Sequence, residues 1–206
     1  MTAFVGSPQK LRALVTRDED RQSPSMSEID LRRAKIEDAA QIHAIFSYYV
    51  IHSVSTYYYD PPPIEVPTSK IERSIKDERF PFFVAVQDDK ILGYAYGSEY
   101  RVYAGYHGTI EESIFIHPEH QQKGLGKLLL GTLIDECKRL EYRVMVAVLG
   151  SGRDVLPGTF KLHESFGFRE VGRLLGVGEK FGRLLDTPIL QLDLTSMNSE
   201  HNVKAN

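Results

Sequence analysis

The chain is 206 residues long, 42% hydrophobic and 26% charged, with a formal net charge of -3 at neutral pH. That length and apolar content suffice for one substantial core without staples, the small negative charge gives no reason to invoke nucleic acid, and the lone Cys137 excludes an internal disulfide framework. Neither a run of about 18 apolar residues nor a secretory leader pattern is present, so a cytoplasmic, reducing setting is expected.

Met1 to Glu28 is too polar to fold alone: Arg17-Asp18-Glu19-Asp20-Arg21 is followed by Ser23-Pro24-Ser25. Its acidic residues also argue against a mitochondrial transit peptide. It reads as a disordered tail, as does the flexible stretch 196–206, which leaves 29–195 as one domain. Ile29 to Arg33 reads as a strand, and Glu37 to Ile51 as a helix with the apolar stripe Ile42, Ile45, Phe46, Tyr49 and Val50. Ser53 to Tyr59 is β-branched and aromatic and is ended by Pro61-Pro62-Pro63. Ser69-x-x-Glu72 is a capping-box signal for a short helix reaching about Asp77. Phe82 to Gln87 and Ile91 to Tyr100, joined by Asp88-Asp89-Lys90, read as a hairpin, and Gly108 to Ile116 as a third long strand. The amphipathic helix that follows carries Leu125, Leu128, Leu129, Leu133, Ile134, Cys137 and Leu140 at three-four spacing, and Val144, Val146 and Val148 form a strand directly after it. Thr159 to Phe166 reads as a helix stopped by Gly167, with strands near Glu170 to Val177 and Thr187 to Leu194 closing the chain.

The most informative stretch runs from Ile114 to Lys127, Ile-Phe-Ile-His-Pro-Glu-His-Gln-Gln-Lys-Gly-Leu-Gly-Lys, where a strand passes through a glycine-containing loop into a helix. The first amides of a helix lack intrahelical partners and the helix dipole favours negative charge there, so this is a seat for a pyrophosphate that Gly124 and Gly126 would let approach the backbone. There is no Gly-Lys-Ser/Thr ending of a Walker loop, and the spacing differs from the dinucleotide fingerprint. Coenzyme A is the better ligand. Cys137 fits the apolar stripe and reads as core rather than nucleophile.

Six ordered blocks carry a resemblance. They are Ile-Asp-Leu-Arg-Arg-Ala (Ile29 to Ala34), Thr-Ile-Glu-Glu-Ser-Ile-Phe-Ile (Thr109 to Ile116), His-Gln-Gln-Lys-Gly-Leu-Gly (His120 to Gly126), Val-Ala-Val-Leu-Gly (Val146 to Gly150), Leu-His-Glu-Ser-Phe-Gly-Phe (Leu162 to Phe168) and Gly-Glu-Lys-Phe-Gly-Arg (Gly178 to Arg183). Together they resemble the GNAT acetyltransferase superfamily, in particular its phosphinothricin acetyltransferase branch, over nearly everything from Ile29 to Leu194. The resemblance implies an α/β (α+β) fold: a mixed, mostly antiparallel sheet of six to seven strands, helices on both faces and a splay between strands four and five. It also implies transfer of an acetyl group from acetyl-CoA, as co-substrate and without a metal, to the primary amine of a small amino-acid-like acceptor, in a protein that is commonly a homodimer.

An ammonium must lose a proton before it can attack a thioester, so a general base is required. The resemblance offers two candidates, Glu111 in the strand leading to the loop and His163 in the later helix, acting together or through water. Strict alternation puts Glu111 and its neighbour Glu112 on opposite faces and a bulge would exchange them, so the residues alone leave that choice open. The rival reading of His163 is an exposed helix residue. Donors for the tetrahedral oxyanion are expected from backbone N–H groups at an irregular point of the fourth strand near Phe115 to His117. Cofactor contacts fall on Ile114, Phe115 and Ile116 of the strand and on Gln121, Gln122, Lys123, Gly124, Leu125, Gly126 and Lys127 of the loop and helix.

Tyr57, Arg101, Tyr103 and Tyr106 are the candidate acceptor contacts, of which Tyr57 and Tyr106 match family pocket positions. The segment Tyr100-Arg101-Val102-Tyr103-Ala104-Gly105-Tyr106 departs from the Arg-x-Arg-x-Ala-Tyr pattern by carrying Tyr103 in place of the second arginine, which removes a forked cation. Leu184 stands where a tryptophan is usual, and the loop from Gly150 to Thr159 is about three residues longer than in relatives and lacks an asparagine that helps hold the pantetheine arm. These departures leave open an acceptor of another kind, such as a polyamine or a protein N-terminus, and a non-catalytic acyl-CoA-binding module.

Overall fold

The computed structural model describes residues 29–195 apart from Arg153; both expected tails lie outside the described residues. β1 (Asp30–Arg33) leads through a short 3-10 turn at Ile36–Asp38 into α1 (Ala39–His52), and α2 (Glu65–Lys76) follows. β2 (Phe82–Gln87), β3 (Lys90–Glu99) and β4 (Thr109–Ile116) form a meander, followed by α3 (Leu125–Arg139), β5 (Val144–Val148), α4 (Pro157–Glu164), β6 (Arg169–Lys180) and β7 (Arg183–Asp193). These strands make one seven-stranded sheet of order β1-β2-β3-β4-β5-β7-β6. Its neighbours pair antiparallel except β4 and β5, which run parallel across the α3 connection.

Alternation along the strands divides the core into two layers. Leu125, Leu129, Leu130, Leu133, Ile134 and Cys137 of α3 pack with Phe160 of α4 on Ala85, Leu92, Ile110, Met145 and Ala147. On the other face Ile42 and Ile45 of α1 and Ile71 of α2 cover Phe82, Val84, Ile91, Tyr94 and Tyr96. The expected arrangement of helices on both faces is therefore present, and β3, between them, is buried on both sides over most of its length. Cys137 is fully buried and its thiol is pushed up to about 12, chiefly by that burial, which fits a core residue and not a nucleophile.

Two local readings change. The capping-box signal at Ser69 does not start a helix: α2 begins a turn earlier, at Glu65, and the Ser69 hydroxyl donates to the Val66 carbonyl inside it. Pro67 sits in the first turn, where a missing N–H costs nothing. The β-branched and aromatic stretch 53–59, left without an assigned element by the sequence, is irregular. The final two strands are longer than the sequence pattern suggested and meet at the two-residue turn Phe181-Gly182, whose residues have φ of 53° and 69°.

Candidate active site

The β4–β5 ladder has four rungs, from Thr109↔Val144 to Glu112↔Ala147. Past that point β5 contributes only Val148, which pairs with Ile189 of β7, while β4 continues to Ile116. The sheet therefore opens into a wedge. Strand β4 stays in unbroken register with β3 from Ile110 to Ile116, and the register shifts lie elsewhere, between β2 and β3 at Ala85/Val86 and within the β6–β7 pair. The irregular point expected near Phe115 to His117 is thus absent from β4. Free backbone groups arise by divergence instead: the His117 amide donates to Leu92 on the β3 side at 2.8 Å, so alternation turns the amides and carbonyls of Ile114 and Ile116 toward the gap.

At the open end of the wedge lies the loop. Gln121, Gln122, Lys123 and Gly124 are exposed, and Gly124 caps α3 with φ of 84°, a left-handed conformation that suits glycine. The first bond of the helix runs from the Leu128 amide to the Gly124 carbonyl, so the amides of Leu125, Gly126 and Lys127 are the unpartnered donors of the first turn. Gly126 has a second duty: a Cβ there would stand 3.1 Å from Leu162 Cδ2 of α4, so its smallness lets the two helices approach. A residue that sequence reasoning counted only as apolar stripe ties this end together. The Tyr49 hydroxyl donates to the Ile116 carbonyl at 2.5 Å and accepts from Gln121 Nε2 at 2.8 Å, while its ring packs on Phe115. Burial raises the Tyr49 pKa against the lowering effect of these two bonds, keeping it a neutral donor.

The two catalytic candidates lie on opposite faces of β4. Glu111 shares its face with Ser113 and Phe115, toward α1 and α2. It is partly buried, and its pKa is raised first by that burial and then by the charge of Glu112, against the lowering influence of Arg101 and Lys70. His163 is 0% exposed, so the rival reading of an exposed helix residue is overturned. Its Nε2 lies 2.8 Å from Glu112 Oε1 and its Nδ1 2.8 Å from the Thr159 carbonyl. Both ring nitrogens face acceptors, so the pair must hold an extra proton to satisfy them. Burial lowers the His163 pKa, but the charge and hydrogen bond of Glu112 and the Thr159 carbonyl outweigh it, and the net shift is upward. Glu111 and His163 therefore do not meet in one cleft. The partner of His163 is Glu112, and alternation without a bulge settles which glutamate faces which side.

Arg101, Tyr103 and Tyr106 come together with Arg79, Glu99 and His107 around a pocket of about 210 Å³ at the start of β4. Tyr103 is 72% exposed there. Tyr57 is not among them. Its hydroxyl reaches Thr187 Oγ1 at 2.9 Å and the Asp186 carbonyl at 3.2 Å, docking the 53–59 segment on β7. Lys180, which sequence reasoning passed over, anchors the same segment by donating to the Thr56 carbonyl at 2.8 Å from a buried position, and burial lowers its pKa. Its only sequence signal was its place in the Gly178 to Arg183 block.

With this geometry the comparisons agree. The family model "Acetyltransferase (GNAT) family" matches residues 47–168. The phosphinothricin N-acetyltransferase of Alcaligenes faecalis is 32% identical over 166 residues, covering 81% of this chain and 83% of that protein. An L-methionine sulfoximine/L-methionine sulfone acetyltransferase of Salmonella typhimurium is 40% identical over 115 residues, 56% of this chain and 66% of that one. Among solved structures, yncA from Salmonella typhimurium, determined with its cofactor acetyl-CoA, superimposes with a TM-score of 0.75 at 33% identity over 81% of this chain and 94% of that one. The wedge in the sheet, the glycine-capped helix after β4 and these matches have one source: this chain belongs to the GNAT acetyltransferase family.

Proposed function

We propose that this protein transfers the acetyl group of acetyl-CoA to the primary amine of a small amino-acid-like acceptor of the phosphinothricin or methionine sulfoximine type. The observation that carries the reading is the wedge between β4 and β5 opening directly onto the exposed, glycine-capped start of α3. Those residues fit the co-substrate: the amides of Leu125, Gly126 and Lys127 and the positive end of the helix suit a diphosphate, and the backbone of Ile114 with the Ile116 amide, the Ile116 carbonyl being taken by Tyr49, suits the amides of a pantetheine arm. Acetyl-CoA, when bound, supplies an acetyl group activated as a thioester.

Glu111 is the general base in this scheme, because it is partly exposed and its raised pKa brings a carboxylate closer to the range where proton acceptance is useful. It removes a proton from the acceptor ammonium and frees the nitrogen lone pair for attack. Arg101 is the cation for an acceptor carboxylate, with Tyr106 and Tyr103 beside it. Tyr57 fixes the segment that borders the wedge. His163 acts at a distance, through Glu112, by holding α4 against the apex of the wedge. We extend the reading to a homodimer in a cytoplasmic setting. The dimer is supported by Leu174, Leu175, Val177, Phe181 and Leu184 on the β6–β7 hairpin, all at least half exposed, an apolar strip of the sort that partners cover.

A thiol-release screen of free amino acids, their sulfone and phosphinate analogues, polyamines and N-terminal peptides tests the acceptor. Acetylation confined to the amino-acid-like group is the expected result, and turnover confined to polyamines or peptides overturns it. Gly124→Glu serves as the cofactor control and should abolish acetyl-CoA binding by calorimetry, since it places bulk and like charge against the diphosphate. Unchanged affinity would remove the loop from the site.

A further inference from the structure

We propose that His117, Glu119 and His120, in the turn between β4 and the phosphate loop, form a binding site for a divalent metal of the zinc class. One ligand atom from each of the three lies within 4.8 Å of the others, an assembly of two imidazoles and a carboxylate. Tetrahedral bonds of about 2.0–2.2 Å bring ligand atoms somewhat closer than that, so side-chain rotations of about an ångström would complete the set.

The backbone beneath them is fixed. His117 is held to β3 by its amide bond to Leu92, and Pro118 starts the 3-10 turn Pro118–His120, closed by the His120 amide on the His117 carbonyl at 2.9 Å. The side chains, by contrast, are nearly unemployed. His120 Nδ1 is shut off from solvent and has no hydrogen-bond partner, which leaves a ring nitrogen that an ion would satisfy. The Glu119 carboxylate makes no hydrogen bond or ion pair among the described residues, whereas its carbonyl accepts from Lys123 Nζ at 3.0 Å. His117 Nδ1 accepts the Glu119 amide at 3.3 Å, a long contact and the one interaction that ligation would displace. Two imidazoles with one carboxylate is a donor set that suits zinc and its neighbours rather than magnesium or calcium. The acetyl transfer proposed above needs no metal, so the site is an addition to that chemistry and not a part of it.

The test is calorimetric titration of the untagged, chelator-stripped full chain with zinc chloride, alongside His117→Ala, His120→Ala, Glu119→Gln and, as a control for scattered surface imidazoles, His52→Ala. One equivalent should bind to the parent and to His52→Ala. Affinity should fall on the order of a hundredfold in either His117→Ala or His120→Ala, and less in Glu119→Gln. Cobalt substitution gives a second readout: visible d–d bands of low-coordinate cobalt in the parent, lost in His120→Ala. Absence of binding in the parent, or binding that survives both histidine variants unchanged, overturns the site. Acetyl-CoA titration of the same samples separates this outcome from a failure of the proposed function, since the metal can be lost with cofactor binding intact.

Discussion

Glu111 and Glu112 are consecutive residues of one regular strand, and the sheet gives them opposite lives. Glu111 looks toward α1 and α2 with partial access to solvent, near the cations Arg101 and Lys70, which temper the rise in its pKa without cancelling it. Glu112 looks toward α4, is buried, and is hydrogen-bonded to an equally buried imidazole. Chemical identity therefore says little about the role of a carboxylate; what it faces decides. One keeps partial access to solvent, as the proposed base needs, and the other is buried and spends Oε1 on His163.

That contrast is open to attack at several points. Glu112→Ala should do the most damage, because it leaves His163 with its extra proton and no counter-charge in a dry interior; a loss of about 3–5 kcal/mol in stability is expected from denaturant melts. A variant as stable as the parent would mean the pair is not a pair. Glu111→Gln should act on the other quantity. It should lower kcat by about a hundredfold, equivalent to ~2.7 kcal/mol, while leaving the melting midpoint and acetyl-CoA affinity close to the parent's. Wild-type turnover across pH would dismiss Glu111 as the base. The smallest effect belongs to pH. Because His163 has a higher pKa folded than unfolded, the stabilisation it contributes is complete below about pH 6.5 and is lost as pH rises through the raised native value. Each unit of that rise is worth about 1.4 kcal/mol. Denaturant midpoints should therefore decline across that window in the parent and stay flatter in Glu112→Gln, and parallel curves would contradict the assignment.

Much of this was legible in the chain itself. The strand-loop-helix unit from Ile114 to Lys127 was legible from its glycines and its three-four apolar stripe, and the opening between β4 and β5 followed from the family resemblance. Strand alternation even posed the Glu111 or Glu112 question in the right form. What stayed hidden depended on partners distant in sequence. The hydroxyl of Tyr49 meets Ile116 and Gln121 only after α1 is laid against β4, and its ring alone was visible as one more member of an apolar stripe. His163 was read from its resemblance as a possible base, but its burial under Phe168 and its bond to Glu112, 51 positions away, are tertiary facts. Ser69 misled because a capping box and an ordinary helix-interior serine share a pattern, and only the hydroxyl's bond to Val66 tells them apart.

An unpaired strand edge is normally a hazard, since it invites another polypeptide to zip onto it. The edge exposed at Ile114 and Ile116 escapes that hazard because it lies inside the sheet, fenced by β3 on one side and by β5 and β7 beyond the gap. The opening is closed at one end by the last rung, Glu112 with Ala147, which leaves little length for a further strand to pair. The backbone recognition proposed for this edge thus comes without a template for aggregation.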